Sequence, residues 1–225
     1  MKSKNSFFRN LMLTAAMGAA LFAASGARAQ DASQQAASAT ASNQNLSGPA
    51  AFVNTMAQKV VAFLADKSLS EQQKRANFRT LLFADFDMDT IGRFALGASW
   101  NSATPAQRAS YMSAFKEMIA QVYSQRFESY NGQKFQIRGT HAEGNDTIVS
   151  SSIVPVGSPE VAVDWRVRNK GGHYKVVDVI VEGVSMAVTQ RSDFASVIQS
   201  GGGNIDGLIS HLQHPDANEA KIPGH

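Results

Sequence analysis

The spacing of apolar residues changes twice along this chain, and this change limits the fold more than any other feature of the sequence. Up to about residue 130, apolar residues recur every three or four positions, as in helices that bury one face. From Phe135 to Val181 they alternate with polar residues or form short runs, as in strands. From Ser185 the helical spacing returns. This order predicts an α+β fold, with helices packed on one face of a twisted antiparallel sheet.

Four helices are predicted before the strands, because the apolar stretches follow residues that begin helices. Ser70 has Gln73 three residues later, which is the spacing of a capping box. Thr104 is followed by Pro105, a residue suited to the first turn of a helix. The predicted spans are about 50–66, a helix after Ser70, a short helix from Asp87 to Gly97, and a long helix from Thr104 to about Tyr130.

About four strands are predicted, joined by short loops rich in Gly, Asn and Asp, which favours an antiparallel meander. The third strand alternates apolar and charged residues, so one of its faces is expected to be buried. The fourth is apolar on both faces and is expected at the centre of the sheet or covered on both sides. The predicted strands are Phe135 with Ile137, Ile148–Val156, Val161–Arg168 and Tyr174–Val181. Two helices are predicted after the strands, at about Ser185–Gln199 and Asn204–Leu212, with a glycine hinge at 201–203 between them.

The first 29 residues have the three parts of a secretory signal peptide. Three basic residues precede an apolar run at 11–24, and Ala27 and Ala29 supply small side chains before a cleavage site. The run is shorter than a transmembrane helix needs. We therefore expect cleavage before Gln30, removal of residues 1–29, and a protein that works in the periplasm.

Removal of this segment changes the charge of the chain. Four of its 21 basic residues and none of its 18 acidic residues lie before Gln30, so the mature chain is close to neutral. The sequence pI of about 9.2 therefore belongs to the precursor and does not indicate nucleic-acid binding. The chain contains no Cys, so packing alone must stabilise it, and a thiol nucleophile is excluded.

Composition divides the mature chain into three parts. Residues 30–48 contain one Leu and no aromatic residue, which predicts a disordered tether. Residues 49–213 form the predicted folded domain, long enough for one core. Residues 214–225 form a polar tail.

Asp178 is unusual because it lies within the apolar run 176–181, where an unpaired charge is costly. One interpretation makes it a general base in an apolar cone, with Tyr174 nearby on the same face. The other is an ion pair with Arg166 or Arg168 on a neighbouring strand. The ion pair is favoured because no second polar group marks a reaction centre.

The remaining polar residues suggest no catalytic or metal centre. P-loop, GxSxG and HExxH motifs are absent from the sequence. Asp85, Asp87 and Asp89 lack the Gly and the distant Glu of a calcium loop, so helix capping explains them more simply. His211 and His214 are expected to be solvated. We therefore expect neither a cofactor nor a bound metal, and no enzyme activity.

Aromatic side chains occur in both the helical and the strand segments, and periodicity alone does not distinguish a filled core from a lined cavity. Several passages are informative in combination: Phe94-Ala95-Leu96-Gly97 with Trp100, Ala103 to Arg108, the run VVDVIVEGVSM from Val176 to Met186, and Asn204 to Leu208. Together they resemble the MlaC family, also called the toluene-tolerance auxiliary family. The resemblance covers about Phe52 to Leu212.

This resemblance implies a periplasmic carrier of glycerophospholipid, an auxiliary component of an ABC transporter that maintains outer-membrane lipid asymmetry. It implies acyl chains buried in an apolar cavity between the sheet and the helices. The implied partners are phospholipid, an inner-membrane MCE-domain protein of the transporter and an outer-membrane lipoprotein–porin complex, with no nucleic acid. From the family architecture, the expected cavity-lining residues are Phe94, Leu96, Phe115, Ile119, Val122, Trp165, Val179 and Met186.

Three alternatives stay open at this stage. One branch of the family is associated with hopanoid lipids, which predicts a hopanoid-type ligand instead. A cone-shaped α+β enzyme would use Asp178 as its base, and a periplasmic binding module would have a solid core. Arg166, Arg168 and Arg191 are candidate headgroup or docking contacts, although each also fits ordinary surface charge.

Overall fold

The computed structural model describes residues 46–125, 130–155, 157 and 159–213. The helices are α1 (Gly48–Ala65), α2 (Glu71–Asp85), α3 (Met88–Leu96), α4 (Ser99–Ser102), α5 (Pro105–Ser124), α6 (Met186–Ser200) and α7 (Ile205–Gln213). The strands are β1 (Lys134–Glu143), β2 (Asp146–Val154), β3 (Val161–Lys170), β4 (His173–Val181) and β5 (Val184–Ser185). The α+β class and the order of elements are therefore confirmed.

The helix starts that the sequence predicts are confirmed at atomic detail. The Ser70 hydroxyl accepts a 3.2 Å hydrogen bond from the Gln73 amide, and the Gln73 side chain accepts one of 2.8 Å from the Ser70 amide. Thr104 and Gln107 form the same reciprocal pair at the start of α5. α5 ends at Ser124, before the predicted end near residue 130.

The sheet is an antiparallel meander in the order β1-β2-β3-β4-β5. It has five strands, because residues Val184 and Ser185 pair with the end of β4. β4 is therefore not central, since β3 lies on one side and only two residues pair on the other. Three helices, α2, α3 and α6, contact β4, and both Val176 and Val177 are buried.

Two apolar clusters hold the domain together. In the helical core, which is built from α2, α3, α5, α6 and α7, Tyr111, Phe115 and Leu208 are fully buried. In the sheet core, α1 packs through Val53 against Val149, Val167 and Val176 of the sheet. Phe86, between α2 and α3, packs against both clusters. Its position makes the α2–α3 junction the point where the two cores meet.

The predicted signal peptide at 1–29, the first part of the predicted tether at 30–48 and the predicted tail at 214–225 lie outside the described residues. Within the predicted tether, Leu46 packs against the sheet core and Gly48 begins α1. Within the described ranges, no helix is both long enough and apolar enough to cross a bilayer.

Candidate functional site

A cleft of about 890 Å³ opens to solvent where the α2–α3 junction meets β4. Its volume is in the range of ligand pockets, roughly 300–1,000 Å³. The apolar part of its lining is Phe52, Phe83, Phe86, Met88 and Tyr174, and its charged part is Lys116, Lys170 and Lys175 together with Asp85, Asp87 and Asp89. We call it the lysine-rimmed cleft. Apolar walls beside charged side chains of both signs are a suitable arrangement for an amphipathic ligand.

Backbone contacts fix the α2–α3 junction against the sheet. Phe86 ends α2, where its amide donates to the Leu82 carbonyl, and it forms a parallel bridge with Val176 of β4. The amide of Asp87 donates to the Val176 carbonyl over 2.9 Å. The Phe86 side chain is consequently held at the boundary of the two cores.

The Phe52 and Tyr174 rings lie side by side, with centroids 6.0 Å apart. Both pack against the sheet core, as do Trp165 and Val179, which are half-buried. The Trp165 ring contacts the Phe135 ring edge-on, with the ring centroids 6.3 Å apart. The Trp165 indole N–H donates a 2.9 Å hydrogen bond to the Ser151 hydroxyl. An apolar surface with satisfied polar atoms thus runs from the cleft along the sheet.

Asp87 is the charged group held most firmly at the cleft. It caps α3 by accepting hydrogen bonds from the Thr90 amide at 3.1 Å and the Thr90 hydroxyl at 2.6 Å. The Lys170 ammonium donates to it over 2.8 Å. Burial by itself raises the pKa of Asp87, but the hydrogen bonds from Lys170 and Thr90 outweigh burial and lower the pKa.

The neighbouring acidic residues differ from Asp87. Burial raises the pKa of Asp85, although Lys59 and Lys175 oppose this shift. Asp89 pairs with Lys116 at 2.8 Å. The capping interpretation is confirmed for Asp87, and in the described part of the chain no three His, Asp or Glu side chains cluster as a metal site requires.

The structure divides the eight predicted lining residues among several places. Leu96 and Phe115 are buried in the helical core, with Ile119 and Val122 at its margin. Trp165 and Val179 belong to the sheet core. Phe94 is 40% exposed on α3, and Met186 begins α6. These side chains are not gathered around one described cavity, and their contact with lipid stays a prediction.

The aromatic lining of the cleft was not identified from the sequence. Phe52, Phe83 and Phe86 are not among the lining residues that the sequence predicts. Their one sequence signal is that Phe83 and Phe86 lie on either side of Asp85 at the end of α2. Packing between distant segments, rather than local periodicity, brings them to Tyr174.

Asp178 has a partner that the sequence did not predict. Its carboxylate accepts a 2.6 Å hydrogen bond from the Ser185 hydroxyl and a 3.1 Å hydrogen bond from the Ala187 amide. These two hydrogen bonds fix the start of α6. The predicted ion pair is wrong, because Arg166 pairs with Glu143 and Arg168 with Asp146.

Tyr174 also differs from its predicted placement beside Asp178. A register shift between Arg166 and Val167 pairs Tyr174 with Asn169, whereas Asp178 pairs with Arg166. Since Asn169 and Arg166 are three positions apart on β3, the two side chains lie on opposite faces of the sheet. Asp178 and Tyr174 therefore do not form a shared reaction centre.

The sequence is similar to a family model and to described proteins. The family model "MlaC protein" matches residues 54–214. The chain is 26% identical over 174 residues to the intermembrane phospholipid transport system binding protein MlaC of Haemophilus influenzae, covering 73% of this chain and 80% of that one. It is 25% identical over 155 residues to the toluene tolerance protein ttg2D of Pseudomonas putida, covering 65% and 72%.

A solved structure is similar over its full length. The phospholipid-binding protein of Ralstonia solanacearum, in complex with a phospholipid, matches with a TM-score of 0.67 and 26% identity, covering 78% of this chain and 100% of that one. The match of the family model extends over well more than half of the chain and over nearly all the described elements. This chain therefore belongs to the MlaC family.

Proposed function

We propose that this protein is a periplasmic lipid carrier that binds the acyl chains of a glycerophospholipid and moves it between inner- and outer-membrane complexes. The observation that carries the proposal is the lysine-rimmed cleft, which leads from solvent to the half-buried apolar face of the sheet. Membership of the MlaC family and the likeness to a phospholipid-bound structure support it.

The physical need for such a carrier is large. Each CH₂ group contributes roughly 0.8 kcal/mol against exposure to water, so two acyl chains cost on the order of 20 kcal/mol to expose. An apolar site that resembles the bilayer interior removes most of this cost. Exchange with a membrane is then close to neutral in free energy, as a shuttle requires.

The chemistry of the cleft is suited to the two halves of a phospholipid. Phe52, Phe86 and Tyr174 offer apolar surface to acyl chains. The ion pairs of Lys170 with Asp87 and of Lys116 with Asp89 give the cleft a polar edge, where a headgroup would remain in water. We propose no enzyme activity, because Asp178, the candidate base, instead accepts hydrogen bonds from Ser185 and Ala187 at the start of α6.

By analogy with the family, we propose an inner-membrane MCE-domain protein and an outer-membrane lipoprotein–porin complex as the sites of loading and release. The test is transfer of radiolabelled phosphatidylglycerol between vesicles of phosphatidylethanolamine and phosphatidylglycerol, with the chain from residue 30 onward in the aqueous phase. We expect catalysed transfer that saturates with protein. Transfer no faster than without protein would contradict the proposal.

A matched pair of variants locates the site. Phe52→Ala removes a ring that lines the cleft, and we expect slower transfer. Phe94→Ala removes a ring of the same size that is exposed on α3 outside the cleft, and we expect no change. Equal effects of the two substitutions would refute the placement of lipid in the lysine-rimmed cleft.

A further inference from the structure

A second cleft, of about 540 Å³, lies on the helical side of the domain between α3, α4 and α6. Its main side chains are Arg93, Phe94, Trp100 and Arg191, and we call it the arginine cleft. The Arg191 guanidinium lies 5.2 Å above the Phe94 ring, and the Arg93 guanidinium lies 5.8 Å from the Trp100 ring. No Asp or Glu is among its described lining residues.

The arginines of this cleft differ from those elsewhere in the domain. Arg79, Arg138, Arg166 and Arg168 each pair with a carboxylate. Arg93 and Arg191 lie over aromatic rings and have no carboxylate partner among the described residues. Arg108 lies 5.3 Å from the Trp100 ring and donates to the carbonyls of Trp100 and Asn101. Cationic groups without acidic partners are therefore concentrated at one place.

Glycine allows the close approach that orients Arg191. A Cβ built on Gly97 would lie 3.0 Å from Nε of Arg191, and Gly97 has a φ of +60°. The guanidinium thus crosses the end of α3 directly over the backbone. Phe94 and Gly97 are its neighbours there, and its N–H donors have no carboxylate partner among the described residues.

Exposed apolar side chains lie beside these arginines. In the described part of the chain, the large apolar residues with high exposure are Phe94 at 40%, Val184 at 54% and Val188 at 56%. Phe94 lines the cleft, and Val188 lies three residues before Arg191 on the same side of α6. Arginine, tryptophan and phenylalanine around a pocket, with an apolar neighbour, are the composition of protein–protein hot spots.

We propose that the arginine cleft docks a protein partner through a segment that carries Asp or Glu side chains beside an apolar anchor. Charge complementarity selects this occupant, because planar guanidinium groups without acidic partners bind carboxylates in a forked geometry. A membrane surface fits less well, since the mature chain is close to neutral. This inference depends on the proposed function in one respect, which is that a lipid carrier must bind protein partners at two membranes.

The test is two-dimensional NMR of the two indole N–H signals of the chain from residue 30 onward, assigned with Trp100→Phe. The probes are an acetylated, amidated peptide of sequence DEFED and its neutral counterpart NQFQN. We expect DEFED to shift the Trp100 signal in a saturable and salt-sensitive manner, and NQFQN to bind much more weakly. No shift with DEFED, or an equal response to NQFQN, would overturn the proposal.

Variants assign the effect to the arginines. Arg93→Gln and Arg191→Gln should each weaken DEFED binding about ten-fold, because each loses charge-assisted hydrogen bonds. Arg138→Gln, which alters an arginine paired with Glu160, is the matched control and should leave binding unchanged. If Arg191→Gln does not fold, Arg191→Lys keeps the charge without the fork and should bind more weakly than the wild type.

Two control titrations distinguish a protein partner from other ligands. Inorganic phosphate alone, or vesicles containing phosphatidylglycerol, should not reproduce the shift at the concentrations that saturate DEFED. A stronger response to either would assign the cleft to a free anion or to a membrane and would overturn the proposal. The lipid content of each Arg variant is measured in parallel, so failure of lipid binding and failure of docking are recognised separately.

Discussion

The hydroxyl of Ser185 donates a 2.6 Å hydrogen bond to the carboxylate of Asp178, and this contact ties the last full strand to the start of α6. The same hydroxyl accepts from the Val188 amide, and the same carboxylate accepts from the Ala187 amide. Between them, Glu182 and Gly183 both have positive φ, as a tight two-residue hairpin requires. The VEGVSM sequence is therefore explained as a strand–turn–cap unit.

We predict that Asp178→Ala and Ser185→Ala each lower the free energy of unfolding, by about 1–3 and 0.5–2 kcal/mol respectively. The double variant should lose less than the sum, because the two residues share a hydrogen bond. Urea unfolding of the four proteins measures this coupling. Strictly additive losses would show that the contact does not stabilise the domain.

Removing the charge of Asp87 and removing the charge of Asp85 should change the stability of the fold in opposite directions. The pKa of Asp87 is lowered in the folded protein, so its charge stabilises the fold at neutral pH and this contribution is lost as the pH falls through that pKa. The pKa of Asp85 is raised by burial, so its contribution is favourable only at acidic pH and is lost as the pH rises through that pKa.

We therefore expect Asp87→Asn to lower the melting temperature at pH 7 and Asp85→Asn to raise it. Asparagine still caps a helix, so the Asp87 substitution tests the charge rather than the cap. Both differences should shrink when the pH is lowered below about 4, where carboxylates protonate. Thermal unfolding at neutral and acidic pH checks this, and a shift of the same sign for both variants would contradict the assignment.

Two helical glycines provide a matched test of packing. A Cβ on Gly92 would lie 2.8 Å from the Met112 sulfur and 2.9 Å from Phe115, whereas none of the described atoms lies within 4 Å at Gly207. Gly92→Ala should cost about 1–3 kcal/mol by overpacking the helical core. Gly207→Ala should stabilise by about 0.5–1 kcal/mol, because Ala favours the helix. Chemical unfolding measures both, and a stabilising Gly92→Ala would show that the core is not tightly packed there.

Substitution at Val179 tests the apolar face of the sheet as the acyl-chain site. Val179→Trp places a large ring on the half-buried surface that leads from the cleft, and we expect less co-purified phospholipid from a folded protein. Val184→Trp, at a position 54% exposed in β5, is the control and should keep its lipid. Lipid content is measured by phosphate analysis, and unchanged content in Val179→Trp would place the acyl chains elsewhere.

Ile119→Trp distinguishes the helical core from the lipid site. Ile119 packs at the margin of the helical core, so a larger side chain should cost about 1–3 kcal/mol of stability. If Ile119 lines the acyl-chain site, as the resemblance predicts, the folded variant should also carry less co-purified lipid. A folded Ile119→Trp protein with unchanged lipid would place Ile119 in the helical core alone.

Local signals in the sequence predicted the fold well, and long-range contacts explain the differences. The capping boxes at Ser70 and Thr104 depend only on residues three positions apart, so their sequence spacing identifies them. The partner of Asp178 could not be predicted in this way. A bulge beside Val167 and a two-residue fifth strand determine which side chains it meets.

The candidate site was harder to predict for the same reason. Periodicity correctly marks Phe115 and Trp165 as buried or half-buried, but it does not say which layer each one joins. Phe94 has the spacing of a core residue, yet it lies in the arginine cleft beneath Arg191. The lysine-rimmed cleft combines residues from α1, α2 and β4, so only tertiary packing reveals it.

The most direct test of the account is organic extraction and mass spectrometry of the chain from residue 30 onward, purified from a Gram-negative host without detergent. We expect close to one phospholipid per folded protein, with the amount reduced in Val179→Trp and retained in Val184→Trp. Folded protein that carries no phospholipid, and takes none up from phosphatidylglycerol vesicles, would contradict it.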